Sequence, residues 1–153
     1  MNRNLSIAFI AAAALLAGHA AQADQPGAHP AYLHALTDLR TARWELQKKK
    51  GDPQMKWDER EAIERIDAAI GEIKKASIDD GKDLNDHPKE DAGKLDRRAR
   101  LHDALRLLEG AHKDIKEKES NSFADGLQER ALKHLDGAIN FVKQGISNAE
   151  HPN

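Results

Sequence analysis

Leu135-Asp136-Gly137-Ala138-Ile139-Asn140-Phe141-Val142-Lys143-Gln144-Gly145-Ile146 is the stretch on which the fold turns. Its large apolar residues fall at Leu135, Ile139, Val142 and Ile146, with the small Ala138 and Gly145 beside them. At about 100° per residue these positions form one stripe along one side of a helix, a pattern that strict alternation in a strand does not produce. Three other stretches superpose on this one. Ala138-Ile139 aligns with Ala35-Leu36, Ala69-Ile70 and Ala104-Leu105, so the pattern recurs every 34 or 35 residues. Three positions on stand Leu39, Ile73, Leu108 and Val142; then come the small residues Ala42, Ala76, Ala111 and Gly145; behind stand Tyr32, Ile66, Leu101 and Leu135. The opposite faces carry Glu45/Lys49, Glu61/Arg65, Asp96/Arg100 and Glu109/Lys113, each with the acid first at i,i+4, the order that favours a solvated helix.

The punctuation between the four stripes agrees with them. His29-Pro30 opens the first, and Lys48-Lys49-Lys50-Gly51-Asp52-Pro53 closes it with basic residues, glycine and proline in turn. Asp58-x-x-Glu61 is a variant capping box for the second, which runs to about Asp80 before Gly81. The third lies between His87-Pro88 and Ser120-Asn121-Ser122; the fourth opens at Ser122-x-x-Asp125 and fades before His151-Pro152. The sequence therefore predicts an all-α protein with helices at about 30–50, 58–80, 94–118 and 122–148, and no sheet. Short connectors predict an antiparallel up-down four-helix bundle as one domain over residues 24–153, with Asp24 to Ala28 loosely attached. A period near 34 also occurs in solenoids of helical hairpins, but those have two helices per period and this chain has one.

Working outward to the N-terminus, Met1 to Ala23 has a basic start at Arg3, an apolar run from Leu5 to Ala17 and a small-x-small end at Ala21-Gln22-Ala23. That pattern predicts a cleavable signal peptide, and the run is shorter than the roughly 20 residues needed to cross a bilayer. A mature protein in the periplasm or outside the cell, with no membrane span, is expected. The chain has 153 residues, no cysteine and a formal charge of −2, which excludes disulfide scaffolds and leaves no basic excess for nucleic acid.

Catalytic patterns are missing. There is no cysteine nucleophile, no G-x-S-x-G and no Gly-rich phosphate loop, so no enzyme is expected. Covalent haem attachment needs C-x-x-C-H, and a bundle di-iron site needs E-x-x-H on two helices, whereas only Glu109-x-x-His112 is present.

Histidines and carboxylates remain as candidate ligands for a divalent ion such as Cu, Zn or Ni. The boundary position three before each stripe's large anchor holds Leu33, Asp67, His102 and Asp136, so Asp67, His102 and Asp136 form the first candidate set. The same carboxylates also suit stripe edges that pair with Lys or Arg. His34 and Asp38 are an i,i+4 pair expected on the solvent face of the first helix. Glu109 and His112 form a second alternative, His112 falling in the stripe of the third helix, where a histidine bonded across the bundle is the plainer expectation. The connector Asp79-Asp80-Gly81-Lys82-Asp83-Leu84-Asn85-Asp86-His87 is a third, its oxygen-rich donors, with Asp83 and His87 among them, suiting a hard cation such as Ca²⁺, although a turn needs the same residue types.

One segment resembles a known family. Ala131-Leu132-Lys133-His134-Leu135-Asp136-Gly137-Ala138-Ile139 is similar to the H-L-x-x-A-I repeats of the small metal-binding protein family, periplasmic helical bundles rich in histidine. The likeness covers one helix, and His134 alone matches the repeated histidine; Ala31, Arg65 and Arg100 stand at the equivalent places. It implies a metal-binding helical bundle. The function expected first is a non-enzymatic module that binds an unidentified protein or small ligand, and the alternative is a periplasmic protein that binds or buffers a divalent metal.

Overall fold

Proline suits the first position of a helix because its missing N–H is unsatisfied there in any case, and Pro30 opens the first helix of the computed structural model. The structure describes residues 30–47, 55–76, 81–87, 95–117 and 122–151. Four helices account for most of them: α1 (Pro30–Leu46), α2 (Trp57–Lys75), α3 (Arg97–Ile115) and α4 (Ser122–Glu150). No strand occurs among the described residues, and no helix there is long and apolar enough to cross a membrane. The signal-peptide pattern Met1–Ala23, the stretch Asp24–Ala28, the stop Lys48–Pro53, Asp79-Asp80 and the cluster Ser120-Asn121 lie outside the described residues.

The helix ends refine the expected bounds. α2 begins one residue early, after Lys56 in extended conformation. Glu59, not Glu61, makes the capping contact, its Oε2 accepting the Lys56 N–H at 2.7 Å. Ala76 closes α2 by donating to the carbonyls of Glu72 and Ile73 at 3.2 and 3.0 Å. Asp96 caps α3, its Oδ1 accepting the Ala99 N–H at 2.8 Å.

The stripes form the core. Tyr32, Leu36, Leu39, Ile66, Ile70, Ile73, Leu101, Leu108, Leu135, Ile139 and Val142 are all buried, as are Ala35, Ala69, Ala104 and Ala138 beside them. Leu105 is only partly buried, while Leu107 and Ile115 join the core. Two expected surface pairs are corrected. Glu45 and Arg100 are buried, with Arg100 donating to the carbonyls of Glu45 at 3.3 Å and Leu95 at 3.1 Å. The close packing of α3 on the second half of α1 removes both from water.

The helix order also differs from the expected one. α1 packs chiefly on α3 and α2 on α4, with further packing of α3 on α4 and α1 on α2, while α1 with α4 and α2 with α3 barely touch. His34 meets Asp114 and Arg100 meets Glu45, so α1 and α3 run antiparallel. Asp58 meets Asn148 and Glu72 meets Arg130, so α2 and α4 do too. His102 faces Glu150 and His112 faces Asp136, which sets α3 antiparallel to α4. It follows that α2 and α3 point the same way, across the bundle from each other, their first turns joined by Glu59 and Arg97 at 2.8 Å. Chain order is therefore not simply up-down-up-down. The physical reason is the length of the α2–α3 connection, residues 76–96, which is ample to return along the bundle. Part of it lies against α1, where Arg43 donates to Asn85 at 3.2 Å and His87 stacks on Trp44 with ring centroids 4.4 Å apart.

Candidate metal centre

On α1, His34 and Asp38 sit one helical turn apart and so share a face. The antiparallel α3 brings Asp114 opposite His34 and Gly110 opposite Asp38. His34 donates from Nδ1 to Asp114 Oδ2, and its Nε2 lies 4.0 Å from Asp38 Oδ1. One ligand atom from each of His34, Asp38 and Asp114 falls within 4.8 Å of the others. Donors about 2.1 Å from a shared ion are at most about 4.2 Å apart, so small side-chain rotations suffice to close the set. The imidazole is 66% exposed, whereas the side chains of Asp38 and Asp114 are only 17% and 20% exposed.

The hydrogen bond to Asp114, and after it the charge of Asp38, hold the His34 imidazole above the usual histidine range. Two carboxylates facing one imidazole therefore favour a cation between them, and a proton fills that place when no other cation does. A metal ion must displace that proton, because a ligating imidazole is neutral. One nitrogen and two oxygens suit a first-row divalent ion, with the remaining positions left for water.

The first candidate set is corrected: Asp67, His102 and Asp136 are not brought together. Asp67 accepts from Arg43 Nε at 2.7 Å between α2 and α1. His102 faces Glu150 at 3.6 Å near the end of α4. Asp136 lies 3.1 Å from His112 Nε2, fourteen residues back along α4, or about 21 Å at 1.5 Å per residue. Equivalent edge positions reached different heights because neighbouring helices run in opposite directions.

The alternatives fare differently. His34 and Asp38 do face a neighbouring helix rather than solvent alone, which corrects their expected placement. His112 is half-buried at the rim between α3 and α4 rather than in the core, its Nε2 3.1 Å from Asp136 Oδ1 of the adjacent helix. Glu109 pairs with Lys143 at 3.3 Å and lines one cleft with His112 and Asp136. Asp83 shapes its own turn, its Oδ1 accepting the Asn85 N–H at 2.7 Å, and His87 covers Trp44. His134 is half-buried, and its Nδ1 has no hydrogen-bond partner among the described residues. Asp114 went unnoticed in the sequence. Its only local mark is a carboxylate in the last turn of a helix, an unfavourable place beside the helix dipole that an opposing cation would repair.

Compared with protein-family models, with curated proteins and with solved structures, the chain matches none.

Proposed function

We propose that the chain is a non-enzymatic helical bundle, exported to a periplasm or beyond the cell, that binds a divalent transition-metal ion at His34, Asp38 and Asp114. The observation behind this proposal is the approach of one imidazole and two largely buried carboxylates from two helices, with a ligand atom of each within 4.8 Å of the others. Zn²⁺, Cu²⁺ and Ni²⁺ are the ions whose ligand preferences fit a mixed nitrogen and oxygen set. An imidazole two-thirds exposed leaves open coordination positions, which suits an ion that is held and released rather than buried for good. The likeness of Ala131–Ile139 to the small metal-binding proteins supports the same class of function, and the pattern of Met1–Ala23 supports export.

Calorimetric titration of metal-free mature protein with each of the three ions tests the proposal. One site tighter than about 100 μM is expected. It is lost in His34→Ala and Asp114→Asn and retained in His102→Ala. No binding at that level in the wild type overturns it.

A second reading, a module for a small ligand or a partner, draws on one cleft. A cavity of about 720 Å³ is lined by Lys56, Trp57, Arg97, Arg98, Gln144 and Asn148, among others. Trp57 is 57% exposed there, packed edge-on against Phe141. Quenching of Trp57 fluorescence by an added ligand, absent in Trp57→Phe, distinguishes this reading from the metal one.

A further inference from the structure

Gly110 lies in the interior of α3, a place where glycine is less favourable than alanine because it costs more backbone entropy and adds no packing. It is one turn before Asp114 on the same face of α3. A Cβ built on Gly110 stands 3.1 Å from Asp38 Oδ2 and, among the described residues, meets no other side chain or neighbouring helix within 4 Å. That separation is tighter than ordinary van der Waals contact, and the atom that must yield is the far end of a side chain rather than backbone. A methyl group at this position therefore spares the helix and displaces one carboxylate. By contrast, no other element among the described residues comes within 4 Å of the Cβ position of Gly71 in the interior of α2.

We propose that Gly110 is a positioning residue of the metal centre: its missing side chain lets Asp38 lean on α3, so that the carboxylates of Asp38 and Asp114 and the imidazole of His34 face one ion. The inference rests on the reading of those three residues as a metal site. Asp38 belongs to α1 and Asp114 to α3, so the distance between the two carboxylates depends on how closely the helices approach at this turn. Glycine at 110 permits the closest approach that a residue of α3 allows. Any larger residue lifts Asp38 away from the helix surface and widens the set.

The test compares wild type, Gly110→Ala and Gly71→Ala, each metal-free and then titrated with Zn²⁺ by calorimetry. The apo proteins are also followed by circular dichroism and by NMR titration of His34, assigned with His34→Ala. Gly110→Ala is expected to keep the wild-type helix content and to lose about tenfold in Zn²⁺ affinity, the effect typical of disturbing a group that orients a ligand. His34 in that variant is expected to titrate still above an ordinary histidine, because its bond to Asp114 is untouched. Gly71→Ala, which makes the same change of helix propensity elsewhere, is expected to stay within twofold of wild type. Zn²⁺ affinity of Gly110→Ala within twofold of wild type overturns the inference and leaves the metal site standing. A loss of affinity with reduced helix content, or with His34 returned to ordinary titration, also overturns it, since α3 itself has then moved. Failure of the wild type to bind Zn²⁺ overturns the metal site and this inference together.

Discussion

His34 bonds to a residue 80 positions away in the chain. Its proton affinity is raised by that bond, so the protonated ring is favoured in the folded state and the gain is present in full below about pH 6.5, the ordinary histidine value. It is lost as pH rises through the raised folded value. His34→Ala is therefore expected to lower stability by a few tenths of a kcal/mol at pH 5.5, a small figure because the ring is exposed, and to have a smaller effect at pH 9. Urea denaturation at the two pH values checks this. Zn²⁺ affinity at the proposed site is expected to move the opposite way and to strengthen as pH rises, because proton and metal compete for the same imidazole. Arg100 behaves differently. Buried and bonded to the carbonyls of Glu45 and Leu95, it leaves both acceptors short when removed, and Arg100→Ala is expected to cost about 2–3 kcal/mol in the same assay. In the sequence it read as half of a surface pair with Asp96, because an i,i+4 spacing shows which residues share a face and not whether another helix covers them.

Among the elements, α2 and α4 are tied at Glu72, which accepts from Arg130 Nε at 2.9 Å and from Lys75 Nζ at 3.0 Å. Lys75, and then Arg130, hold the Glu72 carboxyl below the usual range against the opposing push of burial. A lowered carboxylate contributes stability above about pH 4.5 and loses it as pH falls through the folded value. Glu72→Gln is thus expected to be less stable than wild type at pH 7, by about 0.5–1 kcal/mol, and equal to it near pH 3. Asp96→Ala removes the side-chain cap of α3 and is expected to cost about 1 kcal/mol, read as a drop in melting temperature. The stripes of all four helices were legible because apolar periodicity is a property of each segment alone. Leu107 and Ile115 are buried beyond the stripe and Leu105 within it is only partly buried, because the neighbours α1 and α4, not the spacing within α3, decide which arc of the helix is covered.

For the molecule as a whole, an ion held as proposed at His34, Asp38 and Asp114 would fasten α1 to α3. An ion bound only to the folded form stabilises it by about 2.7 kcal/mol at a hundredfold excess over its dissociation constant. Zn²⁺ is therefore expected to raise the melting temperature of the wild type and of His102→Ala alike, and to leave those of His34→Ala and Asp114→Asn unchanged. Scanning calorimetry with and without the ion gives the comparison. The route of the chain bears on the same contact. Because the long connection carries α3 back to the start of α2, α1 gains α3 as its main neighbour, and the carboxylate at the end of α3 arrives beside the imidazole at the start of α1.

By itself the sequence determined the number of helices, their approximate ends and the residues of the core, because each follows from spacing and caps within a segment of about 20 residues. Which helix lies beside which, and at what height, was decided only in three dimensions. Four similar stripes can pair in several orders with nearly the same apolar burial, so periodicity does not choose among them. The pairing of α1 with α3 joins His34 and Asp38 to Asp114, and the opposed directions of neighbouring helices separate Asp67, His102 and Asp136, which occupy equivalent places in the repeat.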